Sequence, residues 1–216
     1  MIRALIFDMD GTLIDSEKLH YDAWKEILSR HGVDSFPFGT FIGYIGSSNE
    51  KLAGDYIDSH GIPSDITTMV LEKQAIYFEM IPTIKLLPGV REVIARYHGR
   101  YSLAIASSSH TRELHRILQV LALSEYFDHV VGGDMVTRKK PDPEIFLHTR
   151  GLLGVASSEC VVFEDSEPGI IAAKAAGMFG IAVPNGFLSN ADFSQADRII
   201  PKIDLADDQL MQELSR

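Results

Sequence analysis

The chain has 216 residues, of which 45% are hydrophobic and 23% are charged, proportions that are ordinary for a globular domain. It carries 20 basic and 30 acidic residues, for a formal net charge of −10. Because nucleic-acid backbones are attracted to basic surfaces, this balance argues against a nucleic-acid partner. If the substrate is an anion, a metal ion or a lysine must reverse the negative field locally.

From the residues near its start, we expect the chain to lack the apolar run of a signal peptide. Arg3 lies among apolar residues, and Asp8 and Asp10 follow too soon for the apolar run of a signal peptide. No uninterrupted apolar stretch is long enough to span a bilayer. We therefore expect a cytoplasmic monomer without a membrane partner. The one cysteine, Cys160, lies in an apolar run and is expected to be a small buried hydrophobe rather than a reactive thiol.

Short apolar runs predict five buried strands. These runs lack polar alternation, which is typical of strands that helices cover on both faces of a parallel sheet. They lie at residues 4–7, 103–106, 129–132, 160–163 and 180–183.

Helical patterns separate the later strands. Ser109 is expected to cap the helix after the second run, and Asp142 with Pro143 to begin the helix after the third. An alanine-rich helix follows the fourth run and ends near Gly177. This alternation predicts an α/β fold with a doubly wound, Rossmann-like parallel sheet.

Residues 15–84 interrupt the alternation. Helical patterns occur at 17–30, 49–59 and 66–80, with no convincing strand between them. We interpret this segment as a helical insert between the first and second core strands. The predicted domains are therefore a core of residues 1–14 and 85–216 and an insert of residues 15–84.

The first polar cluster follows the first strand and contains Asp8, Asp10, Gly11 and Thr12. Side chains two residues apart on a strand point the same way, so both carboxylates are expected to face one site. Paired carboxylates can bind a hard cation or divide nucleophilic and acid–base roles. The alternative is an ordinary turn, since Asp and Gly are common in turns.

Three further clusters follow later strands. Ser107 and Ser108 follow the second strand, Lys140 precedes a helix, and Glu164 with Asp165 follows the fourth strand. Taken singly, each also fits a helix cap or a solvated loop. Because ligands of open α/β sheets bind beyond the carboxyl ends of the strands, we expect the clusters to converge there.

In order and placement these clusters resemble the motifs of the haloacid dehalogenase superfamily. The resemblance covers nearly the whole chain and is closest to the subgroup with a helical cap after the first strand. That subgroup includes β-phosphoglucomutase-like proteins, sugar-phosphate phosphatases and phosphoglycolate phosphatases. The matching residues are Asp8-Met9-Asp10-Gly11-Thr12, Ser107, Lys140-Pro141 and Glu164-Asp165.

The resemblance implies a mechanism for phosphoryl transfer. Asp8 would attack phosphorus and become an aspartyl-phosphate, while Asp10 would act as acid and then as base. Ser107 and Lys140 would bind the phosphoryl oxygens. The remaining phosphate- or substrate-binding candidates are Gly11, Thr12, Ser108 and His20.

The resemblance also implies a Mg²⁺ cofactor. Its ligands would be the Asp8 carboxylate, the Asp10 backbone carbonyl and Asp165, with Glu164 assisting. The cap is expected to close over the core and to exclude water. His20 lies where related proteins carry a histidine that helps to position the acid or the substrate, and a surface helix histidine is the alternative.

We therefore expect a phosphatase that acts on a small phosphorylated metabolite, such as a sugar phosphate. A phosphomutase is the nearest alternative, but mutases of the subgroup carry a cap arginine that would align with 46–50, where this chain has none. Lys51 lies close enough to compensate in part. Two weaker alternatives are a phosphometabolite-binding protein without catalysis and a receiver-like domain, which would need no insert.

Overall fold

The computed structural model describes residues 1–45, 47–186 and 191–214. The chain divides into two compact units. The core unit contains Met1–Asp15 and Lys85–Arg216, and the helical unit is Ser16–Ile84. The first boundary lies one residue later than the boundary that we predicted from the sequence.

Six strands of the core unit form one sheet with the order β5-β4-β1-β6-β7-β8, and every pair in it is parallel. A short antiparallel pair, β2 with β3, lies apart from it. The strands are β1 (Ala4–Phe7), β2 (Ile14–Asp15), β3 (Lys85–Leu86), β4 (Ser102–Ala106), β5 (His129–Val131), β6 (Cys160–Glu164), β7 (Phe179–Ala182) and β8 (Arg198–Ile199).

The helices of the described residues are distributed over both units. The helical unit contains α1 (Glu17–Arg30), α2 (Phe38–Ile42), α3 (Asn49–His60) and α4 (Ile66–Met80). The core unit contains α5 (Val90–Tyr97), α6 (Thr111–Val120), α7 (Glu144–Leu153), α8 (Glu167–Ala175) and α9 (Asp208–Leu214). Within the described ranges, no helix is both long enough and apolar enough to cross a bilayer.

The middle of the sheet is fully buried, as its apolar sequence predicts. β1 has no exposed residue, and Phe7 stacks on Phe163 of β6 with ring centroids 4.9 Å apart. Helix α7 packs on β4 and β5, and α8 packs on β6 and β7. The alanines of α8, such as Ala172 and Ala173, let that helix approach the sheet closely. The structure confirms the predicted α/β fold with a parallel sheet.

The helical unit has a separate apolar core that is rich in aromatic rings. Phe36 contacts Tyr21, Phe41 and Tyr56, with ring centroids between 5.4 and 6.2 Å apart. Helices α1 and α4 have the predicted bounds. The short helix α2 was not predicted from the sequence, because its five residues are too few to show a helical period.

Two predicted helix caps are wrong by one residue. Helix α6 begins at Thr111 with His110 at the N-cap position, rather than after Ser109. Helix α7 begins at Glu144 with Pro143 at the N-cap position, while Asp142 Oδ1 accepts a hydrogen bond from the Glu144 N–H at 3.0 Å. Both loops are therefore longer than predicted, which brings more residues to the carboxyl end of the sheet.

Candidate active site

The candidate site lies within the core unit, at the carboxyl ends of three neighbouring strands, β4, β1 and β6. Parallel strands end at the same edge of a sheet, so residues that are distant in sequence meet there. The predicted residues at this edge are Asp8 and Asp10 after β1, Ser107 after β4, Lys140 between β5 and α7, and Glu164 with Asp165 at the end of β6.

Lys140 is the centre of the charged network. Its Nζ lies 2.7 Å from Asp8 Oδ1 and 2.6 Å from Glu164 Oε1, and it also donates to the Ala106 carbonyl at 3.0 Å. The exposed fractions of the three side chains are only 6% for Lys140, 10% for Asp8 and 1% for Glu164. Buried charges of this kind must be paired, because they have lost their hydration.

Both members of the Asp8–Lys140 pair have a raised pKa, for different reasons. Burial raises the pKa of Asp8 to about 8, although the Lys140 ammonium opposes the shift. Burial acts to lower the pKa of Lys140, but the attraction of Asp8 and Glu164 outweighs it and the pKa is raised. Lys140 is therefore charged at neutral pH, and a further cation beside Asp8 would favour its ionised form.

Glu164 is fixed by several contacts. Its Oε2 accepts hydrogen bonds from the Ser166 N–H at 3.1 Å and from the Ser166 hydroxyl at 2.8 Å. A Cβ atom at Gly169 would lie 1.9 Å from the Glu164 Cδ, so the carboxylate occupies the space that this glycine leaves. Glu164 thus has one oxygen on the helix start and the other on Lys140.

Three carboxylates of the site are close enough to hold one cation. An oxygen from each of Asp8, Glu164 and Asp165 lies within 4.8 Å of the others, and all three residues are buried. Carboxylate oxygens are the ligands of hard divalent cations, and one lysine does not balance three buried acids. The donor set therefore fits a divalent metal ion. The Asp10 side chain is not in this group, and the resemblance had assigned it a backbone ligand.

Asp10 has hydroxyl partners instead. Its Oδ2 accepts a hydrogen bond from the Ser109 hydroxyl at 2.6 Å and lies 3.5 Å from the Ser107 hydroxyl. The Ser109 N–H in turn donates to Ser107 Oγ at 3.1 Å. Ser109, which was predicted to cap a helix, therefore contributes to the site. The sequence feature that could have identified Ser109 as a site residue is its position two residues after Ser107.

Gly11 and Thr12 lie against Asp165. The Thr12 hydroxyl is 3.5 Å from Asp165 Oδ1, and the Asn185 amide donates to Asp165 Oδ2 at 2.6 Å. Gly11 has a φ of +76°, and an added Cβ would lie 2.2 Å from Asp165 Oδ2. Only glycine fits this turn, because other residues disfavour this positive φ and because their Cβ would clash with the Asp165 carboxylate. Asn185 was not identified from the sequence, although it follows the last predicted strand.

A family model supports the same interpretation over most of the chain. The model described as haloacid dehalogenase-like hydrolase matches residues 5–183. The chain belongs to this family. The motif residues at the carboxyl edge of the sheet all lie inside the matched range, and the chain is accordingly a hydrolase.

Named relatives of this hydrolase include sugar-phosphate phosphatases. It is 37% identical over 180 residues to the fructose-1-phosphate phosphatase YqaB of Escherichia coli, covering 83% of this chain and 95% of the relative. It is 34% identical over 191 residues to a phosphorylated carbohydrates phosphatase of Thermotoga maritima, covering 82% of each. A crystal structure of CbbY from Rhodobacter sphaeroides in complex with xylulose-(1,5)bisphosphate has a TM-score of 0.85 and 27% identity, covering 94% of this chain and 96% of that one.

Two further residues of the hydrolase were predicted to bind phosphate or substrate, namely Ser108 and His20. Ser108 is exposed, and its backbone carbonyl packs on Gly133, where a Cβ would lie 2.5 Å from it. His20 belongs to the helical unit, on α1. Both therefore remain predictions as phosphate- or substrate-binding residues.

His20 has a defined environment in the helical unit. Its Nδ1 lies 2.7 Å from Lys73 Nζ, and its ring stacks on Tyr77 with centroids 4.2 Å apart. Lys73 is 1% exposed and was not identified from the sequence. The sequence feature that could have identified Lys73 as buried is its spacing: it lies four residues after Met69 and four before Tyr77, on the buried face of α4.

Proposed function

We propose that this hydrolase is a Mg²⁺-dependent phosphatase that releases phosphate from a small phosphorylated metabolite through an aspartyl-phosphate at Asp8. The observation that carries the proposal is the Lys140 ammonium, which contacts both Asp8 and Glu164 within 2.7 Å. Phosphoryl transfer depends mainly on positioning and on charge neutralisation. A buried lysine beside the nucleophile supplies both.

The chemistry proposed for Asp8 and Asp10 has two steps. First, an Asp8 oxygen bonds to phosphorus while the phosphorus–alcohol bond breaks, and Asp10 gives its proton to the leaving oxygen. Second, water attacks the phosphorus, Asp10 takes a proton from it, and the Asp8–phosphorus bond breaks to release phosphate. The Ser109 hydroxyl, 2.6 Å from Asp10 Oδ2, supports this role because it holds the Asp10 carboxyl in place.

Asp8, Glu164 and Asp165 are the side chains that would hold Mg²⁺, with the Asp10 backbone carbonyl as the ligand that the resemblance adds. When bound, the cation would neutralise charge on the transferring phosphoryl group. Ser107, Thr12, Ser108 and the backbone at Gly11 are the proposed contacts for the phosphoryl oxygens.

A sugar phosphate is the substrate class that we favour. The relatives described above are named for fructose 1-phosphate and phosphorylated carbohydrates, and a solved structure holds a xylulose bisphosphate. The proposal places the chain as a cytoplasmic monomer without nucleic-acid or membrane partners. Its net charge of −10 supports the lack of a nucleic-acid partner.

Phosphatase is preferred over phosphomutase because of the segment at 46–50. It contains no arginine, although Gly46 lies outside the described residues. The nearby Lys51 is engaged elsewhere, since its Nζ lies 2.8 Å from Asp55 Oδ2 and 5.7 Å from the Tyr44 ring centroid. A second phosphate would have to compete with Asp55 for this cation.

The proposal is tested by measuring phosphate release from a panel of sugar phosphates and from an aryl phosphate, with Mg²⁺ and with EDTA. Asp8→Asn should lower kcat by about 10⁴-fold or more, because it removes the nucleophile. Asp58→Asn is the matched control, since Asp58 is an exposed aspartate on α3. Circular dichroism would verify that each variant is folded.

Activity that survives Asp8→Asn would contradict the mechanism. Turnover in EDTA equal to that in Mg²⁺ would contradict the metal requirement. A wild-type chain that interconverts β-glucose 1-phosphate and glucose 6-phosphate with a bisphosphate primer, and releases little phosphate, would instead support the phosphomutase.

A further inference from the structure

Asn185 lies at the carboxyl edge of the sheet, three residues beyond the end of β7 at Ala182. Its Nδ2 donates to Asp165 Oδ2 at 2.6 Å. The contact joins the loop after β7 to the acid that follows β6. The loop after β7 therefore contacts one of the candidate metal-binding carboxylates, although none of the sequence motifs follows β7.

The hydrogen bond between Asn185 and Asp165 lies directly against Gly11. A Cβ atom added to Gly11 would be 2.2 Å from Asp165 Oδ2 and 2.5 Å from Asn185 Nδ2. Because Gly11 has no Cβ, it leaves space for Asp165 Oδ2 and Asn185 Nδ2. On the other side of the carboxylate, the Thr12 hydroxyl lies 3.5 Å from Oδ1.

The contacts that Asn185 and Thr12 make with Asp165 differ in charge from the Lys140 contact with Asp8. Asp8 contacts an ammonium, whereas Asn185 and Thr12 are neutral donors. A neutral donor fixes the rotation of a carboxylate without supplying the positive charge that would compete with a bound cation. An acid at position 185 would repel Asp165, and a lysine there would replace the metal in part.

We propose that Asn185 is a positioning residue that holds the Asp165 carboxylate in the orientation that binds the divalent cation. The inference rests on the metal site of the proposed function. Partners that orient metal ligands in this way change metal affinity when they are removed.

The test is Mg²⁺ titration of the purified chain by isothermal calorimetry, without substrate. Asn185→Ala and Asn185→Leu should each weaken Mg²⁺ binding by about tenfold, because both lack the amide donor, while Leu keeps the branching at Cγ. Gly186→Ala is the control in the same loop, since a Cβ there meets no atom of the described residues within 4 Å. The melting temperature in EDTA should be the same for all four proteins.

The outcomes separate the role of Asn185 from the proposed activity. Unchanged Mg²⁺ affinity in both variants would overturn the role of Asn185 and leave the phosphatase proposal in place. A lower melting temperature in EDTA with unchanged Mg²⁺ affinity, or failure of both variants to fold, would make Asn185 a structural residue and would also overturn its role. A wild-type chain that binds Mg²⁺ without turnover would refute only the activity, and one without Mg²⁺ binding would refute both proposals.

Discussion

Each unit contains a buried lysine side chain, Lys140 in the core unit and Lys73 in the helical unit, and the two environments differ. In the core unit, Lys140 contacts the carboxylates of Asp8 and Glu164. In the helical unit, Lys73 contacts the His20 imidazole at 2.7 Å, and its Nζ lies 4.9 Å from the Tyr77 ring centroid. The first environment is an ion-pair network, and the second includes an imidazole and an aromatic face.

The difference shows what each lysine can do for its neighbours. Lys140 brings two acids together, and its positive charge offsets their mutual repulsion. A protonated Lys73 has only donors, so the nitrogen of His20 that it contacts must accept. In the neutral ring the proton then lies on Nε2, and His20 presents a donor on its other side.

The largest effect is expected from Lys140→Met. Removing the ammonium leaves Asp8 and Glu164 buried beside each other, which should lower the free energy of unfolding by about 3 kcal/mol. Phosphatase activity should fall by about 10³-fold, because the phosphoryl group loses its cationic partner. Urea unfolding and phosphate release would measure the two losses.

Lys139→Met is the matched control for Lys140, since Lys139 is the adjacent lysine and is exposed. Its unfolding free energy should stay within about 0.5 kcal/mol of wild type. Equal losses of stability and activity in the two variants would show that the contacts of Lys140 with Asp8 and Glu164 are not important for either property.

His20→Phe should have the next largest effect. Phenylalanine retains the stacking on Tyr77 but removes the imidazole nitrogen that lies 2.7 Å from the buried Lys73 ammonium. Weakening the partners of a buried donor should lower the free energy of unfolding by about 2 kcal/mol. A stability equal to wild type, measured by urea unfolding, would show that the imidazole contact is not important for the helical unit.

Lys73→Met should cost less than His20→Phe, about 1 kcal/mol, because methionine keeps the apolar stem and leaves no buried ammonium behind. The same urea experiment measures it. If Lys73→Met proves the more damaging substitution, the ammonium itself stabilises the unit, as Lys140 is expected to stabilise the core.

The smallest effect concerns Cys160 in β6. Burial raises the pKa of its thiol to about 11, so little thiolate is present at pH 8. Iodoacetamide should leave Cys160 unmodified for hours in the native chain and modify it rapidly in urea. Ser59→Cys, at an exposed position in α3, should react at once. If mass spectrometry shows that iodoacetamide modifies positions 160 and 59 at equal rates in the native chain, β6 opens readily.

The sequence predicted the parts of the fold that have a strong local signal. The run 4–7 is apolar at every position because both faces of β1 are covered, and the helix from Glu17 to Arg30 shows a clear period and a glycine stop. The strand β8 was missed, since its two exposed residues, Arg198 and Ile199, have no apolar run to mark them.

The candidate site was predictable where a residue follows a strand directly. Asp8, Ser107 and Asp165 all follow buried runs, and the topology brings them to one edge. Asn185 and Lys73 were missed for opposite reasons. The sequence Pro184-Asn185-Gly186 is typical of a turn, and a lysine in a helix is usually solvated. Only tertiary contacts give either residue its role.

The position of β1 between β4 and β6 also has a consequence for biosynthesis. Asp8 and Lys140 are 132 positions apart, so the ribosome makes the nucleophile long before its cationic partner. Contacts across such a separation form late, after the intervening chain has been ordered. Mg²⁺ affinity should therefore report completion of the core sheet, and a nascent chain that ends before β6 should bind the ion weakly.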